Sequence, residues 1–510
     1  MGDVKREIER KYEAAPGTGL PDLTGVAGTA RSVPRGVAEL DAVYHDTEDF
    51  RLAAGSVTLR RRTGGDDEGW HVKFPVGPHV RDEIRAPLSD TLPDALADLI
   101  RSRVRGRPVV PVARLLSSRD VHHLVDDEGR LLAELSVDAV LAERLTGDGA
   151  GATAEWTEIE VELADDVDPA YLDAVEERLA AAGVRPSADA SKLARALAET
   201  APGERPAQTV REAPAPGTAG EQVLAYVRRQ IGTIVTLDPA VRRDLPDAVH
   251  RMRVAIRRLR GILKTGRKIL DRAVTDPIGA ELKWLGAELG TARDHEVLEA
   301  RLLRSVDGVE PTLLLGPVRG RLERWGAAER AGARRRIVAV LDGERHLALL
   351  DTLDALLADP PLLPAAGEEA AGTLAGAVLK DHDRLAARVH HALDLPPGHD
   401  RDLAMHEARK AAKRTRYASE AARPALGKPA KRLAQRVKAV QSLLGDHQDG
   451  VVAREALRAL AVHAHGAGES AFTWGLLYGR EEEAAARLEH ELPHVWARAS
   501  GAGLRAALKS

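Results

Sequence analysis

Through the first 200 residues apolar and polar positions alternate with a period of two, and the polar positions carry charge. Side chains on an extended segment point to opposite faces at successive residues, so Glu7, Glu9 and Lys11 share one face. In the run 56–62, Arg60 and Arg62 lie opposite Val57 and Leu59, and in 70–74 His71 and Lys73 lie opposite Trp70, Val72 and Phe74. Arg81, Glu83 and Arg85 repeat the spacing. Two later runs carry acid instead: Glu134, Ser136 and Asp138 opposite Leu135 and Val137, then Glu158, Glu160 and Glu162 opposite Ile159, Val161 and Leu163. Gly- and Asp-rich turns at 62–67 and 126–129 separate the runs as hairpin loops do. Any one such strand reads as a solvated edge. Taken as a set, they predict a closed antiparallel barrel with charged faces inside and apolar faces outside, covered by helices over 91–105 and 169–182. Cations on some strands and carboxylates on others suit a phosphate-rich anion together with a hard divalent metal.

These residues resemble the CYTH family, the triphosphate tunnel metalloenzymes. The resemblance rests on Glu7-x-Glu9-x-Lys11, Tyr44-His45-Asp46-Thr47, Arg60-x-Arg62, Lys73, the Arg81–Arg85 run, Arg119, Asp138, Glu158-x-Glu160 and Lys192, and it spans roughly residues 1–200. It implies an eight-stranded tunnel in which Glu7, Glu9, Glu158 and Glu160, with Asp138, form the catalytic metal site for Mg²⁺ or Mn²⁺. It also implies that Lys11, Arg60, Arg62, Lys73, Arg85, Arg119 and Lys192 hold the phosphates. Two of Glu158, Glu160 and Glu162 match the family's later pair, and a slip of two residues leaves open which two. The roles of Arg81, Glu83 and Arg85 are likewise open.

The chain's 510 residues exceed one compact core, so several domains are expected. It has no cysteine, which excludes disulfides, zinc–thiolate sites and a thiol nucleophile. No apolar run approaches the ~20 residues of a membrane span and no signal peptide is visible, so a cytoplasmic protein is expected, with no membrane partner. A net charge of −4 would argue against a polyanion binder, but it conceals how unevenly the charges are distributed. Residues 201–217, rich in Pro, Ala and Gly, read as a linker between a domain at 1–200 and another at 218–510.

Beyond the linker the period becomes helical, and the sequence repeats itself. His250, Arg253, Arg257 and Arg260 recur 156 residues later as His406, Arg409, Lys413 and Arg416, and Lys283 and Asp294 recur 155 residues later as Lys438 and Asp449. Two copies of one unit, about 218–360 and 370–510, predict a pair of pseudo-symmetric helical bundles. Steps of three, seven and ten residues place each basic set on one helix face. No acid occurs in 248–268 or 408–419, so these faces repel themselves unless a partner or polyanion lies against them. A structural bridge to Asp294 and Asp449 is the other outcome, and the histidines suit a capping or core hydrogen bond as well as a phosphate contact. Neither basic helix offers a second His or carboxylate nearby on that face, so a metal is not expected there.

This half resembles the CHAD family of α-helical domains with conserved histidines. The residues that carry it are His250, Arg253, Arg257, Arg258 and Arg260, then His406, Arg409, Lys410, Lys413, Arg414, Arg416 and Tyr417. The resemblance implies a basic groove for inorganic polyphosphate, lined by these residues with Lys283 and Lys438. The second copy has His447 and Gln448 where the first has Ala292 and Arg293, so unequal contributions are expected.

The expectation is thus a multidomain α+β protein. An eight-stranded antiparallel tunnel hydrolyses inorganic triphosphate with a divalent metal, and an all-α pair of bundles binds polyphosphate, a location at polyphosphate granules being consistent with both. A non-catalytic polyphosphate-binding protein is the alternative. Nucleotide cyclisation, thiamine triphosphate hydrolysis and specific nucleic acid binding lack support, since aromatics make up 3% of the chain and leave little for base stacking.

Overall fold

The computed structural model describes residues 3–15, 20–147, 149–201 and 214–509, with the side chains of 3, 291–293 and 329 excepted. Two compact units emerge, Met1–Gln208 and Thr209–Ser510. Most of the expected linker, residues 202–213, lies outside the described residues.

The first unit is built on β1 (Asp3–Ala14), β2 (Arg31–Asp46), β3 (Thr58–Thr63), β4 (Gly69–Gly77), β5 (Val80–Ala86), β6 (Val110–Val125), β7 (Leu131–Arg144), β8 (Thr153–Leu163) and the short β9 (Arg185–Pro186). The sheet order is β5-β4-β3-β2-β6-β7-β8-β1-β9, and β5 also pairs with β1, which closes an eight-stranded antiparallel barrel. Between the strands lie α1 (Arg51–Ala54), α2 (Asp94–Val104), α3 (Ala170–Ala181) and α4 (Lys192–Thr200).

The outer faces of β3, β4 and β5 bury Leu59, Trp70, Val72 and Ile84 under Leu96, Leu99, Ile100 and Val104 of α2. Ile159, Val161 and Leu135 lie under Tyr171, Leu172, Val175 and Leu179 of α3. Each covering helix thus buries one apolar stripe, as an amphipathic helix on a sheet must.

The alternation does not segregate charge as strictly as the sequence predicts. Arg6 and Arg10 lie on the outer face of β1, where they pair with Asp82 (2.9 Å) and Glu176 (3.0 Å). More consequentially, the inner face turns apolar at one end of the barrel. There Ala42, Tyr44, Val140, Ala142 and Trp156 pack with Leu193 and Ala196 of α4. That helix seats in the barrel end and forms a floor.

The second unit is helical: α5 (Ala219–Arg242), α6 (Ala248–Thr265), α7 (Arg272–Asp307), α8 (Val318–Asp342), α9 (Glu344–Ala358), α10 (Ala370–Asp394), α11 (His399–Gly466), α12 (Phe472–Ser500) and α13 (Ala502–Ala506). The first copy breaks the chain between α6 and α7. The second runs through α11, which is kinked at Gly427, where φ 59° and ψ −130° suit only glycine. Gly261 and Tyr417, equivalent under the 156-residue repeat, meet one another: a Cβ on Gly261 would lie 3.6 Å from that of Tyr417. The pseudo-twofold axis therefore runs between α6 and the first half of α11. Among the described residues no helix is long and apolar enough to cross a membrane.

Candidate phosphate and metal sites

The barrel holds a cavity of ≈ 580 Å³ lined mostly by polar and charged side chains. Strand register explains which charges meet. Arg119 on β6 stands opposite Asp138 on β7, Asp138 opposite Glu158 on β8, and Glu160 opposite Lys11 on β1. Asp138, Glu158 and Glu160 each place a carboxylate oxygen within 4.8 Å of the others. Lys192, on the first turn of α4, reaches all three, at 2.8, 2.5 and 2.7 Å. Arg119 makes a two-pronged bond to Asp138 (2.7 Å each) and reaches Glu160 at 2.7 Å, while Lys11 pairs with the other oxygen of Glu160. The Trp156 indole donates to Glu158 at 2.7 Å and fixes that carboxylate.

Burial opposes ionisation of Glu160, but Lys11, Lys192 and Arg119 outweigh it and hold the acid well below the usual carboxylate range. Asp138 is lowered for the same reason, through Lys192 and Arg119. Burial alone would lower Lys192, yet its three carboxylates raise it. A buried carboxylate cluster balanced only by flexible cations has the donor chemistry for a hard divalent ion.

Glu7 and Glu9 share the lumen but not this cluster. Glu9 lies beside Lys11 (3.4 Å) and Arg81 (3.7 Å). Glu7 bonds Lys73 at 2.6 Å, and burial raises its pKa to about 7. Glu162, the third member of the β8 acidic run, turns instead to Lys5. The geometry therefore groups Glu158 with Glu160.

The remaining cations occupy the opposite wall. Arg60 approaches the Tyr44 hydroxyl and Glu83, both at 3.5 Å, Arg62 pairs with Asp67, and Arg85 binds Glu83 at 2.5 Å. Glu83 is fully buried and held far below its ordinary range: burial opposes this, but Lys73, His71 and Arg60 prevail. Arg81, whose role the sequence left open, ties the floor down, donating to the carbonyls of Ser56 (3.2 Å) and Ala190 (2.5 Å). Sequence reasoning did not single out Lys5 and Arg35, and named Tyr44 only within the Tyr44-His45-Asp46-Thr47 motif, yet all three also line the cavity. The period-two pattern contained the signal for Lys5 and Tyr44, since Lys5 shares the parity of Glu7 and Tyr44 that of Ala42.

In the helical unit the basic faces of α6 and α11 converge. Arg253 donates to the Gly290 carbonyl (3.2 Å) and to Asp294 (3.0 Å), and Arg409 lies 3.7 Å from Asp449. Side-chain-free Gly290 and Gly445 make room for these guanidinium groups, since a Cβ there would stand 3.3 and 3.6 Å from them. Of the two outcomes that the sequence left open, the bridge to Asp294 and Asp449 therefore holds at Arg253 and Arg409, because α7 and the second half of α11 present these acids to the basic faces.

Arg257, Arg260 and Lys413 have no carboxylate within ion-pair distance among the described residues. Burial, then the positive charges of Arg409, Arg257 and Arg253, push Lys413 down to about 7. Lys264 is lowered by burial and by Arg260, Arg414 and Lys283, so a second cation group adjoins the first. Lys410 pairs with Glu407, and Arg416 with Glu420 at 3.3 Å. Lys283, Lys438 and His250 lie exposed.

The two copies differ at their histidines. His406 bonds Gln448 through Nδ1 (2.6 Å), and buried His447 sits between Asp402 (3.3 Å) and Glu489 (3.4 Å). Arg454 and Arg401 already serve those carboxylates, at 2.9 and 2.8 Å. The side chains of 291–293, which would complete the comparison, lie outside the described residues.

An acidic cluster inside a cation-lined barrel and facing basic helices on a duplicated helical unit are the two features that set this chain apart. Residues 5–197 match the CYTH domain and residues 225–458 the CHAD domain. The chain belongs to the family of proteins that join a CYTH domain to a CHAD domain. Two uncharacterized proteins of Mycobacterium tuberculosis, MT2285 and Rv2226, are 39% identical to it over 501 residues, 95% of this chain and 94% of each relative. Among solved structures, PptA from Streptomyces chartreusis is 22% identical and covers 55% of this chain and 99% of its own (TM-score 0.46). The CHAD domain from the plant Ricinus communis is 26% identical, covering 60% and 96% (TM-score 0.39). A putative adenylyl cyclase from Hippeastrum, described as having a dominant triphosphatase activity, is 17% identical, covering 38% and 96% (TM-score 0.23).

Proposed function

We propose that the barrel hydrolyses inorganic triphosphate to phosphate and pyrophosphate with Mg²⁺ or Mn²⁺, and that the helical unit binds inorganic polyphosphate, so that the protein works in the cytoplasm, where such polymers accumulate as granules. The observation that carries the first part is the shared lumen, in which Lys11, Arg119 and Lys192 neutralise Asp138, Glu158 and Glu160. These cations serve the carboxylates in the absence of substrate and turn to phosphate oxygens when it enters, as charge-assisted partners. Asp138, Glu158 and Glu160, with Glu9 beside them, are then left to hold the divalent ion. Once bound, that ion supplies Lewis-acid neutralisation of the charge on the phosphoryl oxygens.

The test is phosphate release by purified protein, with and without metal, from tripolyphosphate, ATP, thiamine triphosphate and long-chain polyphosphate. Metal-dependent turnover that is fastest on tripolyphosphate is expected. No turnover, with binding retained, would leave a non-catalytic polyphosphate binder.

Arg60→Ala should raise KM for tripolyphosphate about tenfold or more with a smaller change in kcat, because a phosphate grip held in both ground and transition states is lost. Unchanged kinetics would return Arg60 to a structural role beside Tyr44 and Glu83.

The helical unit carries its own pH signature. Lys413 is pushed down to about 7 in the free protein, and a polyanion laid against it restores the charged form. Polyphosphate binding therefore takes up a proton, and affinity should fall as pH rises from about 7 toward 9. Calorimetry in two buffers of different ionisation enthalpy reads this uptake, and Lys413→Arg, which stays charged, should flatten the profile.

A further inference from the structure

The hairpin loop between β3 and β4, residues 64–68, reaches the barrel cavity, and Gly65, Asp66 and Asp67 form part of its lining. Two glycines set its shape. Gly64 and Gly65 take φ of 82° and 76°, a region that favours glycine, and a Cβ on Gly64 would collide with the Glu39 carbonyl oxygen of β2. The Glu68 carboxylate accepts from the Gly64 amide at 2.7 Å and ties the loop across itself. The backbone is thereby committed to a turn that presents Asp67 to the lumen.

There the carboxylate meets two cations. Arg62 pairs with one oxygen, and the Arg85 guanidinium lies 3.5 Å from the other. The Arg62 side chain is only 5% exposed. Burial and the charges of Arg60 and Arg119 disfavour its own charge, so it needs an anion beside it. The rest of the loop is held less firmly. Both ring nitrogens of His71 face acceptors, Nδ1 the Glu83 carboxylate (2.8 Å) and Nε2 the Asp67 carbonyl (2.9 Å). Burial pushes His71 down to about 4, so a neutral ring has one proton for the two of them. Asp67 keeps 30% of its own side chain exposed. An exchangeable ion pair, rather than burial, seats the loop.

We propose that Asp67 is an internal competitor for phosphate: it holds Arg62 and Arg85 in place of a phosphoryl group, and an anion that uses these arginines must displace the β3–β4 loop. The inference deepens the reading of the barrel as a phosphate site and rests on it. A carboxylate offers a guanidinium two oxygens and one negative charge. A phosphoryl group offers a like edge of two oxygens with equal or greater charge, so either can occupy the pair of arginines. Competition weakens every occupant in proportion to the fraction of molecules in which the grip is free. A carboxylate tethered by a short loop acts at an effective concentration in the ~mM range. A single orthophosphate or sulfate therefore gains little by replacing it. A linear triphosphate, gripped elsewhere in the cavity through its other phosphoryl groups, competes on equal terms, because its exchange with Asp67 is also intramolecular. Asp67 thus sets an affinity threshold that linked phosphates cross and single ones do not.

The first test needs no variant and no turnover. Hydrogen exchange of the full-length, metal-free protein is followed with and without tripolyphosphate. Peptides covering 63–70 should exchange faster with the anion, while peptides covering Lys11 or Lys192 gain protection. Protection there with an unchanged or slower loop would show that the loop stays seated, and would overturn the proposal. No change at either place would defeat phosphate binding in the barrel and the proposal with it. The second test is metal-free calorimetry in an Arg257→Ala/Lys413→Ala background, which weakens the contribution of the helical unit. Asp67→Asn should bind tripolyphosphate about fivefold or more tightly and acquire measurable orthophosphate binding at millimolar concentration. Asp67→Ala should do the same if the amide still holds the loop. Adding Arg62→Ala/Arg85→Ala should erase the gain. Weaker or unchanged tripolyphosphate binding in both Asp67 variants would make Asp67 a positioning residue for the two arginines and defeat the proposal. A gain that survives loss of the arginines would reflect bulk charge alone and defeat it as well. Tighter binding with no phosphate release on adding Mg²⁺ would uphold the internal competitor and defeat only the hydrolase.

Discussion

Glu160→Gln should leave the barrel folded and lower metal-dependent turnover of tripolyphosphate at least a hundredfold, about 2.7 kcal/mol of transition-state stabilisation. The substitution keeps the size of the side chain and one accepting oxygen, but it removes the charge on which Lys11, Lys192 and Arg119 converge. Two consequences follow together. The carboxylate set for a divalent ion loses a member, so the metal requirement should rise steeply. The three cations lose an anion that they share, and breaking a buried pair leaves uncompensated charge. Asp138 and Glu158 remain beside Lys192 and limit that cost, so a lowered but cooperative thermal transition is expected. Saturating tripolyphosphate should then stabilise the variant more than the parent, because the freed cations accept phosphate. Steady-state kinetics across a metal titration, with melting curves, would decide the matter. Near-parent turnover at limiting metal would remove Glu160 from the metal site.

The second large effect belongs to the helical unit. Arg257 and Lys413, like Arg260, have no carboxylate within ion-pair distance among the described residues, and they come from the two copies of the repeat. Arg257→Ala/Lys413→Ala should weaken long-chain polyphosphate binding at least a hundredfold and make the log–log salt dependence shallower by about one to two, since fewer condensed counterions are displaced. Arg253→Ala should cost less affinity and more stability, because Asp294 and the Gly290 carbonyl already hold that guanidinium. Fluorescence anisotropy at several salt concentrations separates the two. A salt-insensitive affinity, or a double variant that binds like the parent, would make the basic helices structural. The same variant should also melt at a higher temperature without ligand, since Arg257, Arg253 and Arg409 all repel Lys413 at close quarters.

Much of this architecture is legible in the chain. Alternation at Glu7-Ile8-Glu9 and at Glu158 to Glu162, repeated over a set of strands, suits a barrel with one face apolar and covered and the other polar and enclosed. A closed barrel under helices meets that demand, and Leu96, Ile100, Leu172 and Val175 provide the cover. The duplicated basic helices are as plain, because a 156-residue offset shared by four residues implies one unit used twice. What the spacing leaves undetermined is partnership. Period two assigns Glu158, Glu160 and Glu162 to one face, yet Glu162 turns to Lys5 while the other two join Lys192.

The division has a physical basis. Periodicity is a local property: it reports the face on which a side chain stands, because the backbone geometry of a strand or helix repeats every two or 3.6 residues. On that basis the sequence alone determined the barrel, its covering helices, the repeat and most of the charged residues that line the barrel cavity. Only the tertiary structure decided how those charges are spent. Barrel closure through β1 and β5 fixed which carboxylate faces which cation. The pseudo-twofold axis brought Arg253 to Asp294 and left Arg257 and Lys413 with no carboxylate within ion-pair distance among the described residues. And α4, which the sequence did not mark out, became the floor of the barrel, because apolar residues of β2, β7 and β8 meet Leu193 and Ala196 there.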